Sequence, residues 1–277
     1  MFPFVMPSSL TEIVAATRRR VADNKLAADL PQLDRQAASH IPRGFQRGLQ
    51  SISATRPAVI AELKRASPSR GLIRSDFDAA KLASELENAG AAALSVLTDT
   101  EFFQGSLENL QRASASTKLP CLRKDFIIDE FQLVEARANG ADAVLLIVAA
   151  LSPTDLTTLA HRASEFNLDV LCEVHNEEEL QRAGDTGCAL IGVNNRNLQT
   201  FQVDLHTAFR LADLIPKNAF PVAESGIRSG TDIAALRAAG YQAFLIGESL
   251  MRAKSPGEAL KALLAEAQRE PHALAGK

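Results

Sequence analysis

Apolar and polar positions along the chain alternate between two recurring kinds of segment. The stretches ELENAGAAALSVL, EARANGADAVLLIV, LQRAGDTGCALIGV and LRAAGYQAFLIG each run from a helix-like pattern through a glycine into an apolar run. The glycines Gly90, Gly140, Gly184 and Gly240 stand where a helix C-terminus favours a left-handed residue. The repeat therefore predicts helices that alternate with buried strands.

Capping residues mark the predicted helix starts. Ser152 and Ser255 each precede a proline and, at the third helical position, an acid, as N-cap residues commonly do. Asn176 precedes three glutamates, which suit the positive end of a helix dipole, and Ser229 with Asp232 forms a capping-box pattern. These signals support the helical segments that the apolar spacing predicts.

Eight apolar runs are predicted as strands. Most are continuous rather than alternating, which is typical of strands covered on both faces. Eight strand–helix units in about 220 residues favour a (β/α)8 (TIM) barrel over an open doubly wound sheet, and no G-x-G-x-x-G motif follows the first strand. The predicted strands are 59–64, 93–98, 120–125, 143–148, 169–174, 190–194, 220–224 and 243–247.

Residues 1–50 lie outside this repeat. Ser9 and Glu12 form a capping pattern, and Ile13, Thr17 and Val21 follow at helical spacing. We therefore predict an N-terminal helical extension, residues 1–50, packed on a catalytic barrel of residues 51–277, as one domain overall. The basic run 18–20 has two readings, a solvated helix face or a part of the cover over the substrate.

Composition and charge exclude several classes of protein. The chain has 277 residues, 46% of them hydrophobic, and a net charge of −3, so nucleic acid and acidic membranes are not expected partners. The longest apolar run, 143–151, is shorter than the roughly 20 residues that span a bilayer, and the N-terminus lacks a signal-peptide pattern. Cys121, Cys172 and Cys188 are widely spaced and odd in number, so we expect no disulfide framework and a cytoplasmic location.

Polar side chains gather at the predicted C-terminal ends of the strands, where barrels of this class carry their chemistry. Glu62 and Lys64 are two positions apart and so leave the same face of the first strand. Each residue alone can be read as structural, for example as an ion pair in the barrel mouth. Together they cost too much desolvation for a stabilising role alone, which favours an active site. The set is Glu62, Lys64, Lys124, Glu173, Asn194, Arg196, Glu224 and Ser225.

Glycine-bearing loops follow the seventh and eighth predicted strands. Gly226 and Gly247 each precede a helix start, and such loops bind phosphate through backbone N–H groups in many barrels. Ser67 and Arg70, in the loop after the first strand, add a hydroxyl and a positive charge. The alternative is that the two glycines only form turns.

Other catalytic patterns are missing from the sequence. No histidine lies at a predicted strand end, His175 being the closest, and there is no metal-ligand spacing, Walker loop or G-x-S-x-G motif. Acid–base chemistry therefore falls to lysine and glutamate. Two alternatives remain, a Schiff-base aldolase acting on a sugar phosphate through Lys64 or Lys124, and a non-catalytic phospholigand-binding barrel.

Six ordered motifs carry a family resemblance. AELKRASPSRG, FFQGS, LRKDFI, GVNNRNL, VAESGI and LIGESLM closely resemble the indole-3-glycerol phosphate synthase family of tryptophan biosynthesis, in its single-function form, over about residues 59–264. The resemblance implies the substrate 1-(2-carboxyphenylamino)-1-deoxyribulose 5-phosphate, which loses carbon dioxide and water during ring closure to indole-3-glycerol phosphate. It implies no cofactor and no metal, and we expect a monomer.

The resemblance also assigns roles. Lys124 is the general acid of ring closure, Glu173 is the base of the dehydration, and Glu62 with Lys64 assists the later proton transfers. We expect neighbouring cations to lower the pKa of Lys124 towards working pH. Substrate binding falls to Asn194, Arg196, Glu224, Ser225 and Phe103, and phosphate binding to Ser67, Gly226, Gly247 and Glu248.

Overall fold

A closed barrel of eight parallel strands forms the centre of the computed structural model, which describes residues 9–269. Each strand pairs with the next along the chain, and the last pairs with the first in the register Ala58↔Ala243 to Ala61↔Ile246. The predicted barrel is confirmed. Its strands are β1 (Ala58–Leu63), β2 (Ala93–Leu97), β3 (Cys121–Lys124), β4 (Ala143–Ile147), β5 (Asp169–Val174), β6 (Leu190–Asn194), β7 (Phe220–Glu224) and β8 (Ala243–Ile246).

Helices cover the outside of the barrel and both of its ends. None of the helices within residues 9–269 is long and apolar enough to cross a membrane. An antiparallel pair of two-residue strands, Ala66–Ser67 and Gly71–Leu72, follows β1. The helices are α1 (Leu10–Ala27), α2 (Leu30–Ser39), α3 (Phe45–Ser53), α4 (Ala79–Asn88), α5 (Thr100–Phe103), α6 (Leu107–Ala115), α7 (Phe131–Ala138), α8 (Pro153–Glu165), α9 (Glu177–Asp185), α10 (His206–Ala212), α11 (Gly230–Ala238), α12 (Glu248–Arg252) and α13 (Pro256–Arg269), with a 3-10 turn at Val148–Ala150.

Strand periodicity divides the apolar residues between two cores. Along β1, Val59 and Leu63 pack in the layer between strands and helices, whereas Ala58 and Ile60 belong to the core inside the barrel. Because side chains alternate along a strand, Glu62 continues the inward face of Ile60. The inward face thus changes from apolar to charged towards the C-terminal end of the strand.

Caps and glycines end the helices largely as predicted. Gly90, Gly140 and Gly240 have φ angles of +93°, +84° and +107°, in the left-handed region. The prediction for Gly184 is wrong, because α9 continues through it to Asp185 and Gly187, with φ +74°, takes the left-handed position instead. The predicted N-caps Ser152, Asn176 and Ser229 each accept a hydrogen bond from the third residue of their helix.

The N-terminal extension contacts the barrel at both ends. Phe45 and Leu49 of α3 are fully buried in the core inside the barrel. Asp142, just before β4, accepts hydrogen bonds from Arg43 N at 2.7 Å, Arg43 Nε at 2.9 Å and Cys121 N at 2.7 Å. These contacts hold α3 across the N-terminal end of the strands. The boundary predicted between residues 50 and 51 falls inside α3, and residues 1–8 and 270–277 lie outside the described part of the chain.

The cysteines correct one expectation. Cys172 in β5 and Cys188, in the turn before β6, form a disulfide with a Cα–Cα distance of 6.4 Å, although we expected none. The pairing arises because neighbouring parallel strands bring the middle of β5 close to the start of β6, which a spacing of 16 residues does not reveal. Cys121 is free and buried, and burial raises the pKa of its thiol to about 12.

Candidate active site

A cavity opens at the C-terminal ends of the strands and has two connected lobes. Glu62, Lys64, Lys124, Arg196 and Ser225 line both lobes. One, the apolar lobe, is further lined by Leu10, Ile13, Phe103, Phe126, Leu145, Ile147, Leu198 and Phe201. The other, the polar lobe, is further lined by Arg70, Glu224, Gly226, Arg228, Gly247, Glu248, Ser249 and Arg252.

A cluster of two lysines and three glutamates lies between the lobes. Lys124 Nζ is 2.7 Å from Glu173 Oε2 and 3.4 Å from Glu224 Oε2. Lys64 Nζ is 2.5 Å from Glu62 Oε2. The three carboxylates are at most 6% exposed. The structure therefore brings together the five residues that sequence reasoning placed at the ends of four different strands.

The pKa of Lys124 is shifted in the direction opposite to our expectation. Burial alone would lower the pKa of Lys124, but Glu173, Glu224 and Glu62 outweigh burial and raise that pKa above the usual value for lysine. The prediction of a lowered pKa is wrong, because the neighbours of this amine are carboxylates rather than cations. Lys124 is thus an ammonium group throughout the physiological pH range.

The two glutamates beside Lys124 titrate in opposite directions. Burial would raise the pKa of Glu173, but Lys124 and then His175 lower it below the usual value. Burial raises the pKa of Glu224 well above its usual value, and the attraction of Lys124 does not compensate. Neighbouring carboxyl groups with separated pKa values are the usual basis for different acid and base roles. Oε1 of Glu224 is also buried without a hydrogen-bond partner among the described residues.

Two glycines make room for these carboxylates. A Cβ atom added at Gly192 in β6 would lie 2.1 Å from Glu224 Oε1, and one added at Gly247 would lie 2.1 Å from Glu62 Oε2. Any side chain at either position would displace a glutamate, because real Cβ contacts are never so close. Gly192 was not predicted as a site residue, and Gly247 has a second role besides the predicted one.

Arg196 and Asn194 both line the apolar lobe of the cavity. Arg196 N donates a hydrogen bond to Asn194 Oδ1 at 3.0 Å, and its guanidinium donates to the carbonyl of Phe201 at 3.1 Å. Arg196 Nη1 also lies 3.5 Å from Ser69 Oγ, and Nη2 lies 3.6 Å from Glu248 Oε2. Phe103 lies on the same lobe, with its ring centroid 6.4 Å from that of Phe126.

The predicted phosphate-binding residues are divided between the lobes. Gly226, with φ +84°, and Gly247 line the polar lobe, whereas Ser67 lines the apolar lobe, where its Oγ is buried without a hydrogen-bond partner among the described residues. The Glu248 carboxylate lies 3.3 Å from Arg70 Nε and 3.1 Å from Arg252 Nε. Since a carboxylate repels phosphate, only the backbone of Glu248 suits the predicted role.

Comparison with known proteins shows to which family the chain belongs. The family model for indole-3-glycerol phosphate synthase matches residues 10–263. The chain belongs to this family. It is 59% identical to the indole-3-glycerol phosphate synthase of Koribacter versatilis (strain Ellin345) and 46% identical to that of Polaromonas naphthalenivorans (strain CJ2), in each case over 94% of this chain and all of the relative. A solved thiamine phosphate pyrophosphorylase from Pyrococcus furiosus shares only the fold, with a TM-score of 0.58 and 15% identity over 76% of this chain and 95% of its own.

This member of the indole-3-glycerol phosphate synthase family uses its N-terminal helix as part of the cavity wall. Leu10 and Ile13 of α1 line the apolar lobe. Arg20 Nη1 lies 2.6 Å from Asp99 Oδ2, and Nη2 lies 3.2 Å from Asp125 Oδ1. Of the basic run 18–20, residues 18 and 19 are exposed, as a solvated helix face requires, whereas the reading that the run covers the substrate stays a prediction. The apolar spacing that predicted α1 did not reveal which arginine anchors it.

Sequence reasoning also missed His175. His175 directly follows β5, and its imidazole lies close to both Glu173 and Glu179. The signal was present in the sequence, since His175 is two positions after Glu173 and so leaves the same face of the chain.

Proposed function

We propose that the chain converts 1-(2-carboxyphenylamino)-1-deoxyribulose 5-phosphate to indole-3-glycerol phosphate, as its family membership suggests. The observation that carries the proposal is the two-lobed cavity. Its apolar lobe suits an aromatic ring, its polar lobe carries the glycines Gly226 and Gly247, and the acid–base cluster lies between them. A substrate with a phenyl group at one end and a phosphate at the other would place its ketose carbons at the cluster.

Ring closure requires a proton on the ketone oxygen while an aromatic carbon attacks the carbonyl carbon. Lys124 supplies that proton, because it is charged at neutral pH and lies at the junction of the lobes. Its raised pKa does not prevent the transfer, since the alkoxide that forms is a far stronger base than an amine. Breaking the bond between the ring and the carboxylate then releases carbon dioxide and leaves its electron pair in the ring system.

Dehydration completes the indole. Glu173 removes one of the two protons on the ring carbon next to nitrogen, and the hydroxyl group on the adjacent carbon departs as water after taking a proton from the Lys64–Glu62 pair. Glu173 suits the base role because its pKa is lowered and it is ionised, whereas Glu224 has a raised pKa and can donate a hydrogen bond to substrate. No step requires an external oxidant or reductant. On these chemical grounds we still predict that the reaction uses no cofactor.

Two anion sites orient the substrate. Arg196, aided by Asn194, binds the carboxylate on the aromatic ring through its guanidinium fork. Backbone N–H groups near Gly226 and Gly247 bind the phosphate, with the Ser67 hydroxyl on the adjoining wall, and Phe103 and Ser225 complete the cavity. A monomeric state and a cytoplasmic location also stay predictions, which light scattering of the purified chain and fractionation of its host cells test.

The test is turnover followed by indole fluorescence. The purified chain should convert the proposed substrate, and inorganic phosphate should inhibit in competition with it. Borohydride added during turnover should trap no adduct, because a Schiff base needs a neutral lysine and Lys124 is held as an ammonium group. A covalent substrate adduct would favour the aldolase instead, and binding without turnover would favour a non-catalytic barrel.

A further inference from the structure

His175 has no part in the steps above, yet its side chain is only 11% exposed and lies beside the proposed base. His175 Nε2 is 3.3 Å from Glu173 Oε1, and Nδ1 is 2.9 Å from Glu179 Oε2. The ring therefore lies between two carboxylates, one inside the barrel and one at the start of α9. It is hydrogen-bonded to Glu179, whereas its Nε2 is buried beside Glu173 without a hydrogen bond among the described residues.

Glu179 is held firmly in place. Its carboxylate accepts hydrogen bonds from His175 N at 2.8 Å and from Asn176 Nδ2 at 2.8 Å, and its own N–H donates to Asn176 Oδ1 at 2.9 Å. These bonds cap the start of α9, whose N-cap residue is Asn176. The cap thus fixes one side of the imidazole and holds its Nε2 beside Glu173 Oε1.

Glu173 consequently has a different cation near each of its oxygens. Lys124 Nζ lies at Oε2, on the cavity side, and His175 lies at Oε1, on the side facing α9. A neutral imidazole would turn a lone pair towards one of the two carboxylates, so the site favours the imidazolium form. Burial lowers the pKa of His175, but Glu173 and then Glu179 raise it to about 9.

We propose that His175 is a positioning residue that holds Glu173 ionised and turned towards Lys124, and so prepares the base for dehydration. The inference rests on the proposed function. Lys124 and Glu224, both on barrel strands, also face Glu173, Glu62 faces Lys124 and Glu224, and Glu179 faces His175 from α9. Because His175→Gln leaves all of these in place, a change in pH profile reports the loss of the imidazolium charge.

The experiment compares His175→Gln with His161→Gln in the full chain. His161 lies exposed on α8 near Glu165 and is a matched loss of a histidine next to a glutamate. We expect His175→Gln to lower kcat roughly 10- to 100-fold, to change KM by less than about threefold, and to move the acid limb of the pH profile upwards, because Glu173 loses a neighbouring cation. His161→Gln should match the wild type.

A second measurement does not depend on turnover. The ring protons of His175, assigned by their loss in His175→Gln, should titrate near pH 9 by NMR in the wild type and at lower pH in Glu179→Gln. A ring that titrates near its ordinary value, or a His175→Gln variant with wild-type kcat and an unmoved acid limb, would overturn the proposal. A wild type that titrates as expected but turns over no substrate would overturn the proposed function instead.

Discussion

At the residue scale, three ionisable side chains of one cavity titrate differently because each has different surroundings. Lys124 lies among three carboxylates, which outweigh burial and keep it charged, whereas burial, together with the neighbouring Glu173 carboxylate, drives Glu224 towards the neutral form. Glu173 has a cation on each side and stays ionised. These differences in charge state come from burial and neighbouring charges, since two of the three side chains are glutamates of identical chemistry.

Replacing Lys124 with alanine should remove the acid of ring closure. We expect kcat to fall about 10²- to 10⁴-fold, the usual range for a positioned general acid, with substrate affinity largely retained. Stopped-flow fluorescence measures the rate, and calorimetry measures the affinity. A near-normal kcat across pH would contradict the assigned role. Lys254→Ala provides the control, because this lysine lies beyond α12 and lines neither lobe of the cavity.

Ser67→Ala and Gly247→Val should have different kinetic effects. Ser67→Ala should raise KM alone, since a hydrogen bond to a charged group is worth roughly 1.5–3 kcal/mol. Gly247→Val should raise KM and lower kcat together, because the new side chain would displace the Glu62 carboxylate as well as block the loop. Steady-state kinetics with phosphate as a competitor separates the two. An unchanged kcat in Gly247→Val would show that Glu62 has no catalytic part.

His175 should also make stability depend on pH. Its folded pKa of about 9 is above the ordinary value of about 6.5. The stabilising contribution is therefore complete below about pH 6.5 and is lost as pH rises through about 9. Urea unfolding of the wild type should show a decline on the order of 1–3 kcal/mol across this window beyond that of His175→Gln. Parallel curves for the two proteins would contradict the charged state.

At the element scale, sequence predicted the strands well because a buried strand in a parallel barrel has a local signature. The strands 169–174, 190–194 and 220–224 were predicted with the bounds that β5, β6 and β7 have. The helix start predicted after Gly247 is confirmed as α12, whereas α5 and the hairpin after β1 were missed, because two to four residues carry too little periodicity. Gly184 was misassigned for a related reason, since either of two nearby glycines could end α9 in the sequence.

Arg20 and Lys25 hold helix α1 to the barrel through ion pairs, and only Arg20 pairs with the buried carboxylates Asp99 and Asp125. Arg20→Gln should leave Asp99 buried without its cation and Asp125 paired with Arg123 alone, which we expect to lower stability by on the order of 1–3 kcal/mol and to raise KM several-fold as α1 loosens. The matched control is Arg19→Gln, an exposed neighbour on the same helix. Urea unfolding and steady-state kinetics measure both effects. Equal behaviour of the two variants would show that the Arg20 ion pairs do not hold α1 in place.

At the scale of the whole molecule, the site depends on contacts that no sequence pattern contains. Lys124, Glu173 and Glu224 were correctly placed at strand ends, but their pKa values depend on side chains from other strands that the closed barrel brings into contact. The disulfide between Cys172 and Cys188 likewise joins two residues that only the folded chain brings together. The local sequence pattern predicts at which end of a strand a side chain lies, but only the closed barrel determines which other side chains it contacts.

The two parts of the N-terminal extension should contribute differently when removed. A chain lacking residues 1–28 loses α1, whose buried side chains are Ile13, Ala16, Thr17 and Val21, and should still fold but bind substrate weakly. A chain lacking residues 1–54 also loses Phe45 and Leu49, each fully buried and each worth about 2–5 kcal/mol, and leaves Asp142 without Arg43. Against a typical total stability of about 5–15 kcal/mol, that loss should abolish folding. Circular dichroism melts and kinetics test both chains, and a cooperative melt of the shorter one would show that the barrel folds without its extension.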